Sequence, residues 1–252
     1  KLAPDMHVIT DLDVGGAERM LVNTLINRRR DTPQPVVVSL IPAGHFREQL
    51  LNSGIIVISL NLVKIGNVLN SLFSLARIIK ALQPNFIQGW MYHANIVALL
   101  GMVIGGQIFH SSLIWGIRCS AMDMRHYGLL LRIVIWVSAL LSWLPKVIIY
   151  NSNIGLRDHM ALGFSSSDTK VILNGIDTKI FKPQPAIRER IRNEMGIPQD
   201  KPVVLMAARV DPMKDYQTLL AAIDLLPGVI TIVVGKNTIE NLPDRPNLFR
   251  IG

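Results

Sequence analysis

Short apolar runs alternate with longer segments of helical periodicity along most of the chain. The runs are rich in valine and isoleucine and contain few polar residues, which is typical of strands buried on both faces of a parallel sheet. The runs cover residues 6–10, 35–41, 55–60, 85–90, 112–117, 146–150 and 170–174, and the helical segments cover 17–29, 46–53, 67–82, 93–104, 125–143 and 153–162. This alternation predicts a doubly wound α/β domain.

A second unit of the same kind follows a connection with the sequence GIDTKIFKPQP. Its predicted elements are a helix at 186–195, a strand at 202–210, a helix at 214–226 and a strand at 229–235. Two or three strands are too few for a complete doubly wound sheet. The sequence therefore predicts one domain at residues 1–175 and an incomplete second domain at residues 176–252.

Composition and charge narrow the class of protein. Hydrophobic residues make up 50% of the chain and charged residues 17%, which indicates a folded protein with a substantial core. The 26 lysines and arginines exceed the 18 acidic residues, and the formal net charge of +8 favours anionic partners. Cys119 is the only cysteine, so an internal disulfide is excluded and a reducing cytoplasm is expected.

The longest apolar run bears on the relation to membranes. It has the sequence IVIWVSALLSWLP at 133–145, between Arg132 and Lys146, and it is shorter than the ~20 residues that cross a bilayer. We interpret it as a helix that is either buried or lies on a membrane surface. No signal peptide is expected, because no basic segment is followed by an apolar core and a cleavage site.

A glycine pair follows the first predicted strand in the segment DLDVGGAERML. Gly15 and Gly16 precede a predicted helix, and the free N–H groups of a helix N-terminus favour a phosphate group. The spaced third glycine of the dinucleotide fingerprint is absent. The alternative is that the pair only serves a tight turn between strand and helix.

Polar and charged residues follow other strands of the first unit. His93 comes after the fourth strand, where a neutral imidazole can bind sugar hydroxyls or carry a proton; a capping or packing role is the alternative. Arg118 and Arg125 follow the fifth strand and are candidates for binding acidic acceptor groups, unless they are only solvated at the edge of the core. Asn174 and Gly175 suit a tight turn at the hinge between the units.

Two cations flank the first loop of the second unit. Arg209 ends a predicted strand and Lys214 begins the next predicted helix, so the pair can hold a diphosphate from two sides. Solvated surface cations are the alternative. No metal site is predicted, because the six histidines show no paired spacing and a single cysteine argues against a structural zinc site.

In this order the motifs resemble the family-4-like retaining glycosyltransferases of the GT-B fold, which are typical of bacterial polysaccharide or glycolipid biosynthesis. The resemblance implies two facing Rossmann-like domains that bind a nucleotide-sugar donor in the cleft between them. It places His93 near the transferred sugar and Arg209 and Lys214 at the diphosphate, all three as catalytic candidates. The remaining donor-binding candidates are Gly15, Gly16, Asn174 and Gly175. The family implies no cofactor and no metal.

One departure from the family concerns a pair of glutamates separated by seven residues, which bind the sugar hydroxyls and the ribose. The glutamates of this chain include no such pair: they are Glu18, Glu48, Glu189, Glu194 and Glu240. The chain ends before the region where the pair is expected. We therefore expect this polypeptide, taken alone, to be weakly active or inactive.

The resemblance implies a hexosyl- or related transferase that moves a sugar, with retention, to a hydroxyl of a glycan or lipid-linked acceptor. A cytoplasmic enzyme in peripheral contact with the anionic inner face of the membrane is expected, with no nucleic-acid partner. Two alternatives remain open at this point. One is a GT-B-like nucleotide-sugar epimerase, and the other is a non-catalytic module that binds a nucleotide sugar or a membrane.

Overall fold

The computed structural model describes residues 3–29, 31–42, 44–62, 65–120, 124–165 and 167–252. The chain divides into two compact units, Lys1–Gly175 and Ile176–Gly252. Each unit is an α/β structure with its own parallel sheet and its own hydrophobic core. The two units are described separately.

The first unit contains a parallel sheet of seven strands in the order β3-β2-β1-β4-β5-β6-β7. The strands are β1 (Met6–Ile9), β2 (Val36–Ser39), β3 (Ile56–Ser59), β4 (Phe86–Trp90), β5 (Ser112–Ile117), β6 (Val147–Tyr150) and β7 (Thr169–Val171). The helices are α1 (Gly16–Ile26), α2 (Arg47–Asn52), α3 (Val68–Leu82), α4 (Met91–Ile104), α5 (Leu129–Leu141) and α6 (Asn153–Ala161). The predicted α/β architecture is therefore confirmed for this unit.

Two core clusters cover the two faces of the sheet. On one face, helices α1 and α2 bury their apolar residues against Ile9, Val37 and Trp90. On the other face, helices α3, α4 and α5 pack against Met6 and Val8. Successive residues of β1 therefore contribute to opposite faces, and the strand is buried along its whole length because helices cover both sides.

The strand order creates a topological switch point between β1 and β4. These two strands are neighbours, with Ile9 paired to Trp90 at their carboxyl ends. From β1 the chain proceeds outward through β2 to β3, and from β4 it proceeds outward in the other direction to β7. The connections leaving β1 and β4 therefore diverge, which opens a crevice at the carboxyl edge where α/β proteins bind ligands.

Two helices begin later than the sequence pattern indicates. Helix α5 begins at Leu129, after a short 3-10 helix (Met124–His126) and the extended residue Gly128, so Arg125 precedes α5. In the second unit, Lys214 lies in a 3-10 helix (Pro212–Lys214), and the following helix begins only after Asp215. Asp215 has a φ of 50°, a left-handed conformation that interrupts the helix.

The second unit has three parallel strands in the order β10-β9-β8. Its elements are α7 (Pro185–Glu194), β8 (Val203–Ala207), α8 (Tyr216–Leu225), β9 (Ile230–Val234), α9 (Thr238–Asn241) and β10 (Leu248–Ile251). Its core consists of Tyr216, Ile223, Val233, Leu242 and Leu248. The sequence pattern did not specify α9 or β10 as elements, because each has only four residues and too short a run to show periodicity.

His7 makes the stability of the first unit depend on pH. Its side chain is 5% exposed at the centre of the sheet, and the Trp90 indole N–H donates to Nδ1 over 3.3 Å. Burial lowers the pKa of His7 from 6.5 to about 4. The folded state therefore resists protonation at a pH where the unfolded chain accepts the proton.

We expect the free energy of unfolding to be unaffected by His7 above about pH 6.5 and to fall as the pH decreases from there towards about 4. Urea unfolding at a series of pH values would measure this slope. A His7→Gln variant, which keeps an acceptor for Trp90, should show a shallower slope between about pH 6.5 and about pH 5. Identical slopes for both proteins would contradict the assignment.

Candidate functional site

The loop after β1 presents glycine backbone without needing left-handed conformations. Gly15 is the N-terminal cap of α1 with an extended backbone, and the helix begins at Gly16. Neither glycine has a positive φ, so the turn itself does not require glycine at these positions. A Cβ at Gly16 would meet no atom within 4 Å, so there is open space beside this residue. A tight turn therefore explains the presence of the two glycines less well than the sequence suggested.

The Glu18 carboxylate lies beside Gly15 at the same helix N-terminus. A Cβ at Gly15 would overlap this carboxylate and would lie 2.9 Å from the Glu18 Cδ. A negative charge in the first turn of a helix is stabilised by the helix dipole. An incoming phosphate would compete for the same position, so phosphate binding at Gly15 and Gly16 requires the Glu18 side chain to rotate away. Sequence reasoning assigned no role to Glu18.

His93 lies in the first turn of α4, across the switch point from the glycine loop. Helix α4 follows β4 without a connecting loop, because Met91 adopts a left-handed conformation with a φ of 70°. The His93 side chain is exposed, which is the opposite of what the packing alternative predicts. Partial desolvation lowers its pKa, so the imidazole is mostly neutral near pH 7 and can both donate and accept a hydrogen bond.

A buried hydrogen-bonded network holds the residue next to His93. The Tyr92 hydroxyl lies 2.6 Å from His159 Nε2 and 3.1 Å from Cys119 Sγ. His159 Nδ1 lies 2.6 Å from the carbonyl oxygen of Gly155. Because that oxygen only accepts, Nδ1 carries the proton; in the neutral ring Nε2 then accepts from Tyr92, whose oxygen accepts from the thiol.

This network gives Cys119 a structural place in the fold. Burial raises the pKa of the Cys119 thiol, which disfavours the thiolate that a nucleophile requires. The thiol instead helps to fix Tyr92 and thereby the first turn of α4. The sequence offered no signal for the network, since its members lie 27 and 67 residues apart along the chain.

Glycine at position 89 allows α4 to lie directly on β4. A Cβ at Gly89 would be 2.5 Å from Asn95 Oδ1, 2.6 Å from its Cα and 2.8 Å from its backbone nitrogen. Two of these three contacts are with helix backbone, which cannot move away independently. The close approach of α4 to β4 therefore depends on the absence of a side chain at position 89. That approach sets the position of His93 relative to the sheet.

The structure brings together Arg118 and Asn174, which are candidates from two different loops. Arg118 Nη1 donates to Asn174 Oδ1 and to the carbonyl oxygen of Ile172, each over 3.3 Å. The guanidinium carbon also lies 4.9 Å from the ring centre of Trp90 at the end of β4. Arg118 Nε is buried and has no hydrogen-bond partner in the described part of the chain, so the guanidinium retains an unused donor.

The other candidates of the first unit lie at less constrained positions. Gly175 directly follows Asn174 at the carboxyl end of β7, and a Cβ there would meet nothing within 4 Å. Arg125 is exposed in the 3-10 helix before α5. The pairing of Arg125 with Arg118 at a site for acidic groups therefore stays a prediction.

In the second unit, Arg209 follows the carboxyl end of β8, where hydrogen bonds and a close backbone contact hold the preceding residue. The Tyr216 hydroxyl donates to the carbonyl oxygen of Ala208, and the Ala208 N–H donates to Val234 over 2.9 Å. Gly235 packs against the backbone of Ala208 and Arg209, where a Cβ would lie 2.9 Å from the Arg209 nitrogen. The backbone before the guanidinium is therefore fixed from two sides.

Asp211 orients the Arg209 side chain and shapes the loop towards Lys214. Its carboxylate lies 3.2 Å from Arg209 Nη2 and Nε, and it accepts the Met213 N–H over 3.0 Å. The pKa of Asp211 is lowered, mainly by the hydrogen bond from the Met213 N–H and to a smaller extent by the charges of Arg209 and Lys214. The carboxylate thus stays ionised near neutral pH and holds the guanidinium at the edge of the strand. Sequence reasoning missed this positioning residue.

The structure also contains a cavity of about 570 Å³ away from these candidates. Its lining includes Asn85, Ser112, Lys146 and Thr169, which lie at the amino-terminal ends of β4 to β7. This is the edge of the sheet opposite His93 and Arg118. Within the described ranges, no group of three His, Cys, Asp or Glu side chains is placed to hold a metal ion.

The sequence is similar to those of known glycosyltransferases. Residues 14–180 match the family Glycosyltransferase Family 4. A D-inositol 3-phosphate glycosyltransferase from Mycobacterium bovis is 30% identical over 105 residues, which are 41% of this chain and 22% of that protein. The matched part of the chain thus spans less than a quarter of this curated relative.

Two solved structures are similar in fold. Anabaena Alr3699/HepE, in complex with UDP and glucose, superposes with a TM-score of 0.78 at 19% identity, covering 99% of this chain and 70% of that chain. Sucrose-phosphate synthase from Thermosynechococcus elongatus superposes with a TM-score of 0.68 at 16% identity, covering 92% and 62%. These similarities confirm the predicted fold class, and the family match over more than half of the residues shows that the chain belongs to Glycosyltransferase Family 4.

Proposed function

We propose that this chain contributes to a glycosyltransferase that moves a sugar from a nucleotide-diphosphate donor to a hydroxyl of a glycan or lipid-linked acceptor. The proposed reaction is a hexosyl or related transfer with retention at the anomeric carbon. The family match supports the reaction class, and the Anabaena protein, which binds UDP and glucose, supports the type of donor.

The observation that carries the proposal is the preorganised cation at the end of β8. As the anomeric bond breaks, negative charge grows on the departing diphosphate, and a fixed guanidinium stabilises that charge without reorganising. Arg209 is suited to this role because its backbone is fixed and its side chain is oriented by Asp211. Lys214 follows in the same loop as a mobile second charge.

The first unit supplies the proposed contacts to the sugar and the acceptor. His93 is exposed beside the switch point, and its neutral imidazole suits a hydrogen bond to a sugar hydroxyl. Gly15 and Gly16 offer backbone N–H groups to the donor, with Glu18 displaced when the donor binds. Arg118, held by Asn174 and Trp90, is a candidate for an acidic group of the acceptor.

We further propose a cytoplasmic enzyme of bacterial polysaccharide or glycolipid biosynthesis, in peripheral contact with the anionic inner face of the membrane. The excess of basic residues supports an acidic surface as partner. No nucleic acid is proposed as a partner.

The test uses the natural polypeptide that contains this chain, incubated with UDP-glucose and other nucleotide sugars. Release of the nucleotide diphosphate together with a new glycosidic bond of retained configuration, read by NMR, is the expected result. Conversion of the donor to its epimer without transfer would indicate an epimerase instead. Donor binding without either reaction would indicate a non-catalytic module.

Chelation of divalent cations is expected to leave the transfer rate unchanged within about twofold. The reason is that Arg209 and Lys214 supply the charge that a metal ion supplies in metal-dependent transferases. The rate would be measured before and after treatment with EDTA, with added Mg²⁺ as the control for recovery. Loss of activity that Mg²⁺ restores would contradict metal independence.

A further inference from the structure

Helix α5 exposes an apolar face that no described element covers. The members of this α5 outer face are Leu129, Leu130, Ile133, Trp136 and Leu140 on the helix and Trp143 just beyond it. Both tryptophans are strongly exposed, at 62% for Trp136 and 70% for Trp143. The opposite side of the helix, with Ile135 and Ala139, is buried against the sheet. The helix is therefore apolar towards solvent as well as towards the core.

The neighbouring helix α4 continues the apolar surface. Helices α4 and α5 lie in contact on the same face of the sheet and both run from its carboxyl edge to its amino edge. Exposed apolar residues of α4 and its C-terminal end are Leu100, Val103, Ile104, Ile108 and Phe109. Phe109 is 93% exposed and follows α4 at the same edge of the sheet where Trp143 follows α5. The two helices therefore form one apolar layer that ends in aromatic side chains.

Positive charge predominates in the part of the chain that carries α5. The described acidic residues that follow this part in the first unit are Asp158, directly after Arg157, and Asp168, which lines the same cavity as Lys146. The segment from Met124 to Arg157 contains no aspartate or glutamate. Its cationic side chains are exposed: Arg125, Arg132, Lys146 and Arg157. A surface with apolar and tryptophan side chains in its centre and cations at its rim matches the interface of an anionic bilayer, where acyl chains meet acidic headgroups.

We propose that the α5 outer face, extended by the exposed residues of α4, docks onto an anionic lipid bilayer with α5 parallel to the membrane plane. This inference rests on the peripheral membrane location in the proposed function, but it does not depend on sugar transfer. None of the described helices combines the length and apolar composition that a membrane crossing needs, so the contact is interfacial. A second copy of the chain fits the surface less well, because a symmetric contact would bring the cationic rims together.

Vesicle sedimentation tests the docking surface directly. The protein is mixed with phosphatidylcholine vesicles that contain or lack phosphatidylglycerol, and the expected result is binding that requires the anionic lipid. The double variant Trp136→Ser/Trp143→Ser should reduce partitioning by about tenfold or more, because two interfacial side chains are lost. A Leu225→Ser variant is the matched control, since Leu225 is 81% exposed on α8 in the second unit and should not change binding.

The basic rim requires a second pair of measurements. Arg132→Gln/Lys146→Gln should weaken binding to anionic vesicles by about tenfold or more while leaving the weak binding to neutral vesicles unchanged. Circular dichroism would establish that each variant is folded, which is expected because all four side chains are exposed.

Three results would overturn the proposal. They are failure of the wild-type protein to bind anionic vesicles, unchanged binding by the tryptophan variant, and a wild-type dimer that the tryptophan variant abolishes. The last result would assign the surface to a second copy of the chain. Because sedimentation needs no donor, a wild-type protein that transfers sugar but does not bind anionic vesicles would refute only the docking surface. A wild-type protein that binds the vesicles but does not transfer sugar would refute only the transferase.

Discussion

Arg209→Ala is expected to lower the rate of nucleotide-diphosphate release by about 100-fold or more in the natural polypeptide that contains this chain. The guanidinium is fixed by Asp211 at 3.2 Å and by the backbone contact with Gly235, so its charge is already in position when the leaving group forms. Removal of one preorganised group of this kind typically costs a factor of 10²–10³ in kcat. Because the stabilised charge develops only in the transition state, the loss should appear mainly in kcat rather than in KM.

Two further variants distinguish the effect of the guanidinium geometry from the effect of positive charge in this loop. Arg209→Lys keeps the charge but loses the paired contact with Asp211, so an intermediate rate is expected. Lys214→Ala should cause a smaller loss, of about tenfold, because a mobile point charge is less preorganised than a fixed guanidinium.

A matched control for Arg209 is Arg245→Ala. Arg245 also forms an ion pair in the second unit, with Asp224 at 3.1 Å, and it lies away from the end of β8. Arg245 precedes the amino-terminal end of β10, so its removal takes no charge from the carboxyl end of β8 and the control should retain the wild-type rate. Arg209→Ala and Arg245→Ala with equal rates would refute the role proposed for Arg209.

Gly89→Ala is expected to reduce the free energy of unfolding of the first unit by about 3 kcal/mol. The added methyl group would lie 2.5 to 2.8 Å from three atoms of Asn95, and the helix backbone supplies two of those atoms. Relief requires α4 to move away from β4, which disturbs the packing of its buried residues Ala94 and Ala98. Urea unfolding followed by circular dichroism would measure the loss.

Gly128→Ala provides the control for the same substitution. Gly128 is the N-terminal cap of α5 with an extended backbone, and a Cβ there would meet no atom within 4 Å. Glycine is preferred over alanine at such a cap, so this exchange is expected to cost about 1 kcal/mol or less, clearly below the loss expected at position 89. If both variants unfold at the same urea concentration, the close approach of α4 to β4 is not what determines stability at position 89.

The order of the strands and helices could be predicted because it depends on local patterns. Apolar runs rich in valine and isoleucine mark strands buried on both faces, and β1 and β2 are buried at every position. In a parallel sheet, each residue that directly follows a strand lies at the carboxyl edge. The sequence therefore indicated that His93 and Arg118 lie at one edge, before any contact between loops was known.

Helix boundaries were less predictable because single residues decide them. Apolar periodicity extends from 125 to 143, yet α5 begins at Leu129, after the extended residue Gly128. The periodicity around Lys214 likewise gave no sign that Asp215 adopts a left-handed conformation. Backbone dihedral angles at one position are not encoded in a pattern that averages over several turns.

The sequence by itself determined the α/β class, the succession of elements, the family resemblance and the positions of the candidate residues relative to strand ends. Only the tertiary structure decided which candidates meet: Arg118 with Asn174, Tyr92 with Cys119 and His159, and Arg209 with the backbone that Gly235 supports. It also decided that one face of α5 is left to solvent. The physical reason is that periodicity reports the burial of each segment on its own, whereas contacts between distant loops depend on strand order and on how closely backbones approach.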